Sequence, residues 1–392
     1  MKTTSLFESM RTWRHDFHTH PELGFEEHRT AAKVAELLVE FGLDVVSGIG
    51  GTGVVGILDR GSPLPAGSNE IGAIGLRADM DALPFQERNE FNHRSKNDGV
   101  MHACGHDGHT AMLLGAAKYL SESGDFRGRV VFIFQPAEEH GKGGPAMIKD
   151  GLFDRFKVDE VYGMHNMPGL EVGSFALRQG TIMASEALFE IDIAARGGHA
   201  AMPHMGVDAI TVGAQMVGAL QTIVSRKLNP GVNGVVSVTE FTTDGQRNKL
   251  PGNACLKGDA RALTPQVNAN IEKNMRQIVA GIALAHGVEA TVDYETIFKA
   301  TINATQPTDR AADAAISLVG ALNVDTQREP VLASEDFAHM AAERPGCFLF
   351  TGNGATGAHG QPLHATDYDF NDDALVPGSS YWVQLVEDVL AP

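Results

Sequence analysis

Five short runs of this sequence hold most of the side chains able to do chemistry: ADMDALP at 78–84, MHACGHDGHTA at 101–111, QPAEEHG at 135–141, YGMHN at 162–166 and PLHATDYDFND at 362–372. Cys104 and His106 are separated by one glycine, so both side chains point the same way if the backbone there is extended. Thiolate and imidazole together suit zinc and other borderline divalent metals. A single C-x-H is weak evidence, because a free cysteine beside a loop histidine is ordinary. Asp107 and His109 in the same run strengthen it. Glu138 and Glu139 directly follow an apolar stretch, and a buried carboxylate needs a partner charge or a metal. One member of such a pair can hold a metal. The other can take a proton from an activated water and return it to a leaving amine. Taken alone, the pair is equally an exposed acidic turn, and loop histidines such as His165 and His364 are unremarkable singly. His199, in GGHAAMPH at 197–204, is of the type that donates to a tetrahedral oxyanion, and Gly197 and Gly198 permit close approach to another surface.

The elements that must position these residues follow from the apolar pattern. Residues 26–42 predict an amphipathic helix stopped by Gly42, followed by a strand, the glycine-rich IGGTG turn and a second strand to Ile57. Short apolar strands are predicted at Ile71 to Leu76, Arg129 to Phe134 and Val161 to Met164, with a helix from Thr110 to Leu120. Most of the five runs sit just beyond a predicted strand, where open α/β sheets bind ligands. From Ser185 to Phe298 the order changes to strand, helix, strand, strand, helix, strand, the ferredoxin-like split motif. After it, α/β material resumes with Arg310 to Val319 and the strand Cys347 to Thr351. The expected organisation is a mixed-sheet α/β catalytic domain over 1–184 and 299–392, with a βαββαβ domain inserted at 185–298.

Composition narrows the function classes. With 31 Lys and Arg against 49 Asp and Glu, the formal net charge of −18 disfavours nucleic-acid binding. Three distant cysteines make no disulfide framework and suit a reducing compartment. The amino terminus has no apolar run of signal-peptide type, and nothing approaches a membrane-spanning stretch. A soluble cytoplasmic protein is expected.

At this point the motifs carry a resemblance. HTHPELGFEE, RADMDALPFQE, MHACGHDGHTA, QPAEE, MHNMPG, GGHAAMPH, SEDFAHM and DYDFND occur in order from one end of the chain to the other. The chain resembles the aminoacylase, hippurate hydrolase and auxin-conjugate (IAA-amino acid) amidohydrolase family of di-metal hydrolases. That resemblance implies a zinc-aminopeptidase-like catalytic domain and an inserted lid and dimerisation domain, assembled as a homodimer or a dimer of dimers. It implies two divalent ions, manganese or zinc, with cobalt or nickel also compatible, held by Cys104, His106, Glu139, His165 and His364. Glu138 is then the general acid/base, Asp81 a carboxylate behind the ligands, and His199 the residue that reaches a partner subunit's site. Asn248 and Arg261 match the binders of the substrate carboxylate, and Asp79 stands where distant relatives carry a metal-binding histidine. NKLPGN departs from the family pattern, with Gly252 where an aspartate is expected. The implied reaction is hydrolysis of the amide bond of an N-acyl amino acid. The rivals are a dipeptidase or carboxypeptidase on the same scaffold, a metal-binding protein without catalysis, and hydrolysis by a Cys104 nucleophile. The acyl group and amino-acid side chain are not read from the sequence, although Met183 and Phe337 are pocket candidates.

Overall fold

The computed structural model describes residues 1–61 and 70–392. They form two compact units. The first comprises Met1–Ile182, Thr301–Glu329 and Asp336–Pro392, and the second Met183–Ala300 and Pro330–Glu335.

The first unit is built on an eight-stranded mixed sheet. Its order is Asp44–Ile49, Gly53–Arg60, Gly128–Gln135, Ala73–Asp79, Glu160–Pro168, Gly346–Gly354, Phe175–Ala176 and Val324–Asp325. The four central strands, from Gly128–Gln135 to Gly346–Gly354, are mutually parallel. Such strands are buried on both faces and therefore read as continuous apolar runs such as RVVFIF. Helices cover them. His106–Ser123 is buried along most of its length, and the small residues Gly108 and Gly115 let Phe370 and Met10 pack directly on its backbone. Trp382, Tyr381, Phe132 and Phe134 fill the core around it. Parallel alignment puts the carboxyl ends of all four strands on one edge, with Asp79 level with Gln135 and His165 level with Phe350.

The second unit has the strand order Gly234–Thr243, Asn253–Ala262, Ser185–Ala194, Glu289–Phe298, entirely antiparallel. That is the split βαββαβ arrangement. Along Ser185–Ala194 every second residue, from Ser185 through Ala187, Phe189 and Ile191 to Ile193, is buried, as a half-covered sheet requires. The helices Ala209–Thr222 and Pro265–His286 supply the other half of that core. Thr264 caps the second helix by accepting from the Val267 amide, and Gly287 ends it in the left-handed region. Pro330–Glu335 returns to this unit because Ser334 hydrogen-bonds Arg261 and Glu186 and Val331 pairs with Met183. A single excursion over 185–298 does not anticipate that return, since the contacts are long-range. Among the described residues no helix is long and apolar enough to cross a membrane.

One buried ionic chain ties the first sheet to its loops. The Arg77 guanidinium, fully buried, donates to Asp79 at 2.6 Å, Gln135 at 3.0 Å and Asp336 at 3.1 Å. Asp336 also accepts from the Gly144 amide at 2.8 Å. Removing the cation leaves two carboxylates buried without it, which costs about 3–5 kcal/mol. Arg77→Met is therefore expected to lower unfolding free energy by that amount in urea titrations.

Candidate active site

Seven of the ten residues singled out from the sequence belong to the first unit, and they converge at the carboxyl edge of its parallel strands. Cys104 Sγ lies 3.3 Å from His165 Nε2. His106 Nε2 is 3.9 Å from Glu139 Oε1 and 4.0 Å from Glu138 Oε2, and His364 Nε2 is 3.4 Å from Glu139 Oε1. Donor atoms of Cys104, His106 and His165 lie within 4.8 Å of one another, as do those of Cys104, Glu139 and His364, and of His106, Glu138 and Glu139. All but Glu139 and His364 are buried.

The local backbone differs from the expected one at three places. Cys104 and His106 are not in an extended segment: Gly105 is left-handed at φ 98° and His106 begins the helix. A side chain at Gly105 would collide with Asn166 and Tyr368, so the turn demands glycine for space as well as conformation. His165 sits inside the strand Glu160–Pro168 rather than in a loop beyond it. Glu138 and Glu139 lie not in an extended segment but in a turn that follows Ala137, at φ 49°, and both carboxylates approach His106 Nε2, at 4.0 and 3.9 Å.

Hydrogen bonds select the ring tautomers. His165 Nδ1–H donates to the Asn166 carbonyl at 2.6 Å, and His106 Nδ1–H donates to the Asp81 carbonyl at 2.9 Å. Each ring therefore turns Nε2 into the cluster, the nitrogen that carries the lone pair when the ring is neutral. The Asp81 carboxylate accepts the Glu139 amide at 3.1 Å and lies 3.3 Å from His106 Nδ1, so it touches two of the candidate ligands. Sequence reasoning used His109 only as support for Cys104 and His106, and did not single out Asn166. The Asp79 carboxylate accepts from His109 at 2.6 Å, and Asn166 contacts the far side of that ring at 2.8 Å.

The electrostatics favour a cation. Burial opposes charging of His106, but Asp79, Asp81 and Glu139 outweigh it and lift its pKa to about 10. Burial pushes the Cys104 thiol well above its usual range, and Glu139, Glu138 and Asp79 add to the push. Among the described residues His106 Nε2 and Glu139 Oε1 are buried with no hydrogen-bond partner. Imidazole nitrogens, a thiol and carboxylate oxygens gathered in one place are a donor set for divalent metals.

The remaining three residues are in the second unit. His199 and Asn248 share a two-stranded ribbon, where Lys249 pairs with His199 and the Ala200 amide donates to the Asn248 carbonyl. His199 Nδ1 accepts from the Ala201 amide at 3.0 Å, so its proton is on the exposed Nε2. Gly252 leaves no gap in the chain's hydrogen bonding. The Asp244 carboxylate accepts from the Gly252 and Asn253 amides at 2.9 and 3.0 Å. Arg261 is not a free cation: its nitrogens contact Asp259 at 2.8 Å, Ser334 at 2.9 Å and Glu186 at 3.0 Å.

Residues 75–388 match the family model described as peptidase family M20/M25/M40. The chain belongs to that family. It is 41% identical over 372 residues to the hippurate hydrolase of Campylobacter jejuni, spanning 95% of this chain and 94% of that one. It is 35% identical over 373 residues to thermostable carboxypeptidase 1 of Saccharolobus solfataricus, spanning 93% and 91% respectively. Among solved structures, the YXEP protein of Bacillus subtilis, a dinuclear metal-binding peptidase of the M20 family, superposes with a TM-score of 0.84. It is 30% identical, and the match covers 98% of both chains. The mixed α/β fold is thus the M20 fold.

Two outcomes follow from this geometry. Asp81→Asn keeps the backbone carbonyl bond to His106 but weakens the carboxylate's contacts with His106 Nδ1 and the Glu139 amide, and is expected to lower metal affinity about 10- to 100-fold in chelator competition. A second concerns His18, buried against Asp107 at 2.9 Å and Glu87 at 3.1 Å. Burial would lower its pKa, but those carboxylates raise it from 6.5 to about 9. Its contribution to stability is fully present below pH 6.5 and is lost as pH rises through about 9. His18→Gln is expected to flatten the fall in melting temperature across that window.

Proposed function

We propose that this chain hydrolyses the amide bond of N-acyl amino acids, using two divalent cations held by Cys104, His106, Glu139, His165 and His364. The observation that carries this reading is the convergence of those five side chains beside Glu138, a carboxylate near His106 that is left to handle protons. The 41% identity to a hippurate hydrolase, over nearly the whole of both chains, supports an N-acyl amino acid as substrate. The carboxypeptidase at 35% favours the second reading, a peptidase cleaving beside a free carboxylate.

A bound pair of such cations polarises the amide carbonyl and brings the pKa of water toward neutrality. Glu138 takes the proton of the attacking water as the new carbon–oxygen bond forms. It then delivers that proton to the amino-acid nitrogen as the carbon–nitrogen bond breaks. His199 presents Nε2–H to the developing oxyanion. His199 and Asn248 lie on the ribbon at one end of the strand Asn253–Ala262, and Arg261 lies at the other. Eight residues of strand span about 26 Å, too far for one amino-acid-sized ligand to touch both. In this proposal the His199 ribbon therefore serves the site of a second copy in a homodimer or dimer of dimers, with residues 185–298 as lid and dimerisation domain. Arg261 would receive the substrate carboxylate by exchanging its Ser334 or Glu186 contact. The thiolate favours zinc and the open carboxylate face tolerates manganese, with cobalt and nickel as substitutes. Three unpaired cysteines are in keeping with the cytoplasm.

Glu138→Ala is expected to lower kcat about 10²- to 10⁴-fold with metal content unchanged. Retained turnover would remove Glu138 from the mechanism. Assayed beside it, metal-loaded protein should cleave hippurate and N-acetyl amino acids in preference to unblocked dipeptides. The opposite ranking selects the peptidase reading.

A further inference from the structure

The run HTHPELGFEE is the motif that the catalytic reading leaves without a task. In the structure it touches three of the five active-site runs. His18 meets Asp107, the Glu22 carbonyl accepts the Ala82 amide at 2.8 Å, and Glu27 reaches the QPAEE turn. The last contact is the most consequential. Glu27 is completely buried, and its carboxylate accepts the backbone N–H of Ala137 at 2.8 Å while also accepting the Thr52 hydroxyl.

Ala137 immediately precedes Glu138 and is one of three non-glycine residues with positive φ among those described, at 49°. An L-residue with a Cβ is disfavoured there and stays only where its surroundings over-determine it. The surroundings here are explicit. Glu27 grips the N–H of the peptide plane before the Ala137 Cα. The amides of Lys142 and Gly143 donate to the Ala137 carbonyl, at 3.4 and 3.2 Å, and hold the plane after it. The φ angle of Ala137 is the turn between those two fixed planes, and it sets the direction in which Glu138 leaves the strand. Gly24 completes the clamp: a Cβ there would stand 2.5 Å from His140 Nδ1 and 3.0 Å from the Ala137 Cα, so only glycine lets the run approach so closely.

We infer that Glu27 is a positioning residue for the reaction, clamping Ala137 in the left-handed conformation that aims Glu138 at the reacting water. This rests on the reading of Glu138 as proton carrier. A displacement of about 1 Å at such a group costs on the order of 100-fold in rate, so a backbone clamp has a measurable effect on turnover.

Glycine adopts positive φ without strain, which separates this role from simple burial. In the metal-loaded enzyme, Glu27→Ala is expected to lower kcat about 10- to 100-fold, with KM and metal content within about twofold of the parent. Glu27→Gln, which keeps an acceptor for the Ala137 amide, is expected to retain most of kcat. Adding Ala137→Gly to Glu27→Ala should recover at least about threefold, whereas Ala137→Gly gives no gain where Glu27 is present. Parental kcat in Glu27→Ala, no recovery in the double variant, or a loss that merely follows lost metal overturns the inference. Should Glu27→Ala not accumulate folded, Thr52→Val strips one partner from the same carboxylate. It should lower kcat in a way that Ala137→Gly reverses, and an unchanged kcat or an unreversed loss counts against the clamp. Activity surviving Glu138→Ala would instead indict the reading of Glu138 itself.

Discussion

Gathering unpaired anionic and lone-pair donors in a buried space is unfavourable unless something cationic shares it. That single constraint organises the first unit. Asp79, Asp81, Glu138 and Glu139 all lie within 4.0 Å of one imidazole, and against the opposing effect of burial Asp79, Asp81 and Glu139 raise the pKa of His106 to about 10. Where the protein supplies its own cation, as Arg77 does for Asp79 and Asp336, the carboxylates are fully hydrogen-bonded. Where it does not, Glu139 Oε1 and His106 Nε2 are buried without a hydrogen bond, with the His364 ring 3.4 Å from the carboxylate oxygen. The contrast between these neighbouring regions marks which carboxylates are structural and which are available to a metal.

Holding such donors in place takes more of the chain than the donors themselves. Asp81 fixes one ring tautomer and one backbone amide, and Asn166 fixes another tautomer while bridging to His109. The amino-terminal run packs against three of the donor-bearing segments, so a stretch distant in sequence from the chemistry controls its geometry. Of the three non-glycine residues with positive φ among those described, Ala137 and His364 adjoin or belong to the proposed machinery, and Phe25 lies in the amino-terminal run.

Much of this was legible beforehand. The βαββαβ order from Ser185 onward emerged from period-two and helical patterns, because a half-buried sheet and two amphipathic helices write their burial directly into residue order. Cys104, His106, Glu138 and Glu139 stood out because metal-competent residues rarely cluster beyond strands without cause. The local backbone was harder to read. An extended Cys104–His106 was the condition for the two side chains to point the same way, and a left-handed glycine followed by a helix was found, since a C-x-H spacing is compatible with either geometry. Arg261 matched the substrate-carboxylate binder of the resembled family, and only the structure places Asp259, Glu186 and Ser334 against its nitrogens, two of them from distant sequence.

The sequence alone determined the element types, the net charge and the inventory of groups able to bind metal or move protons, because each depends on residue identity and short-range periodicity. The tertiary structure decided which of those groups meet. It brought Glu27 to Ala137 across 110 residues, returned residues 330–335 to the second unit and paired Asp79 with Arg77 while leaving Glu139 Oε1 without a hydrogen bond. Those outcomes depend on distances in space between chain segments far apart in order, and no local pattern encodes a distance of that kind.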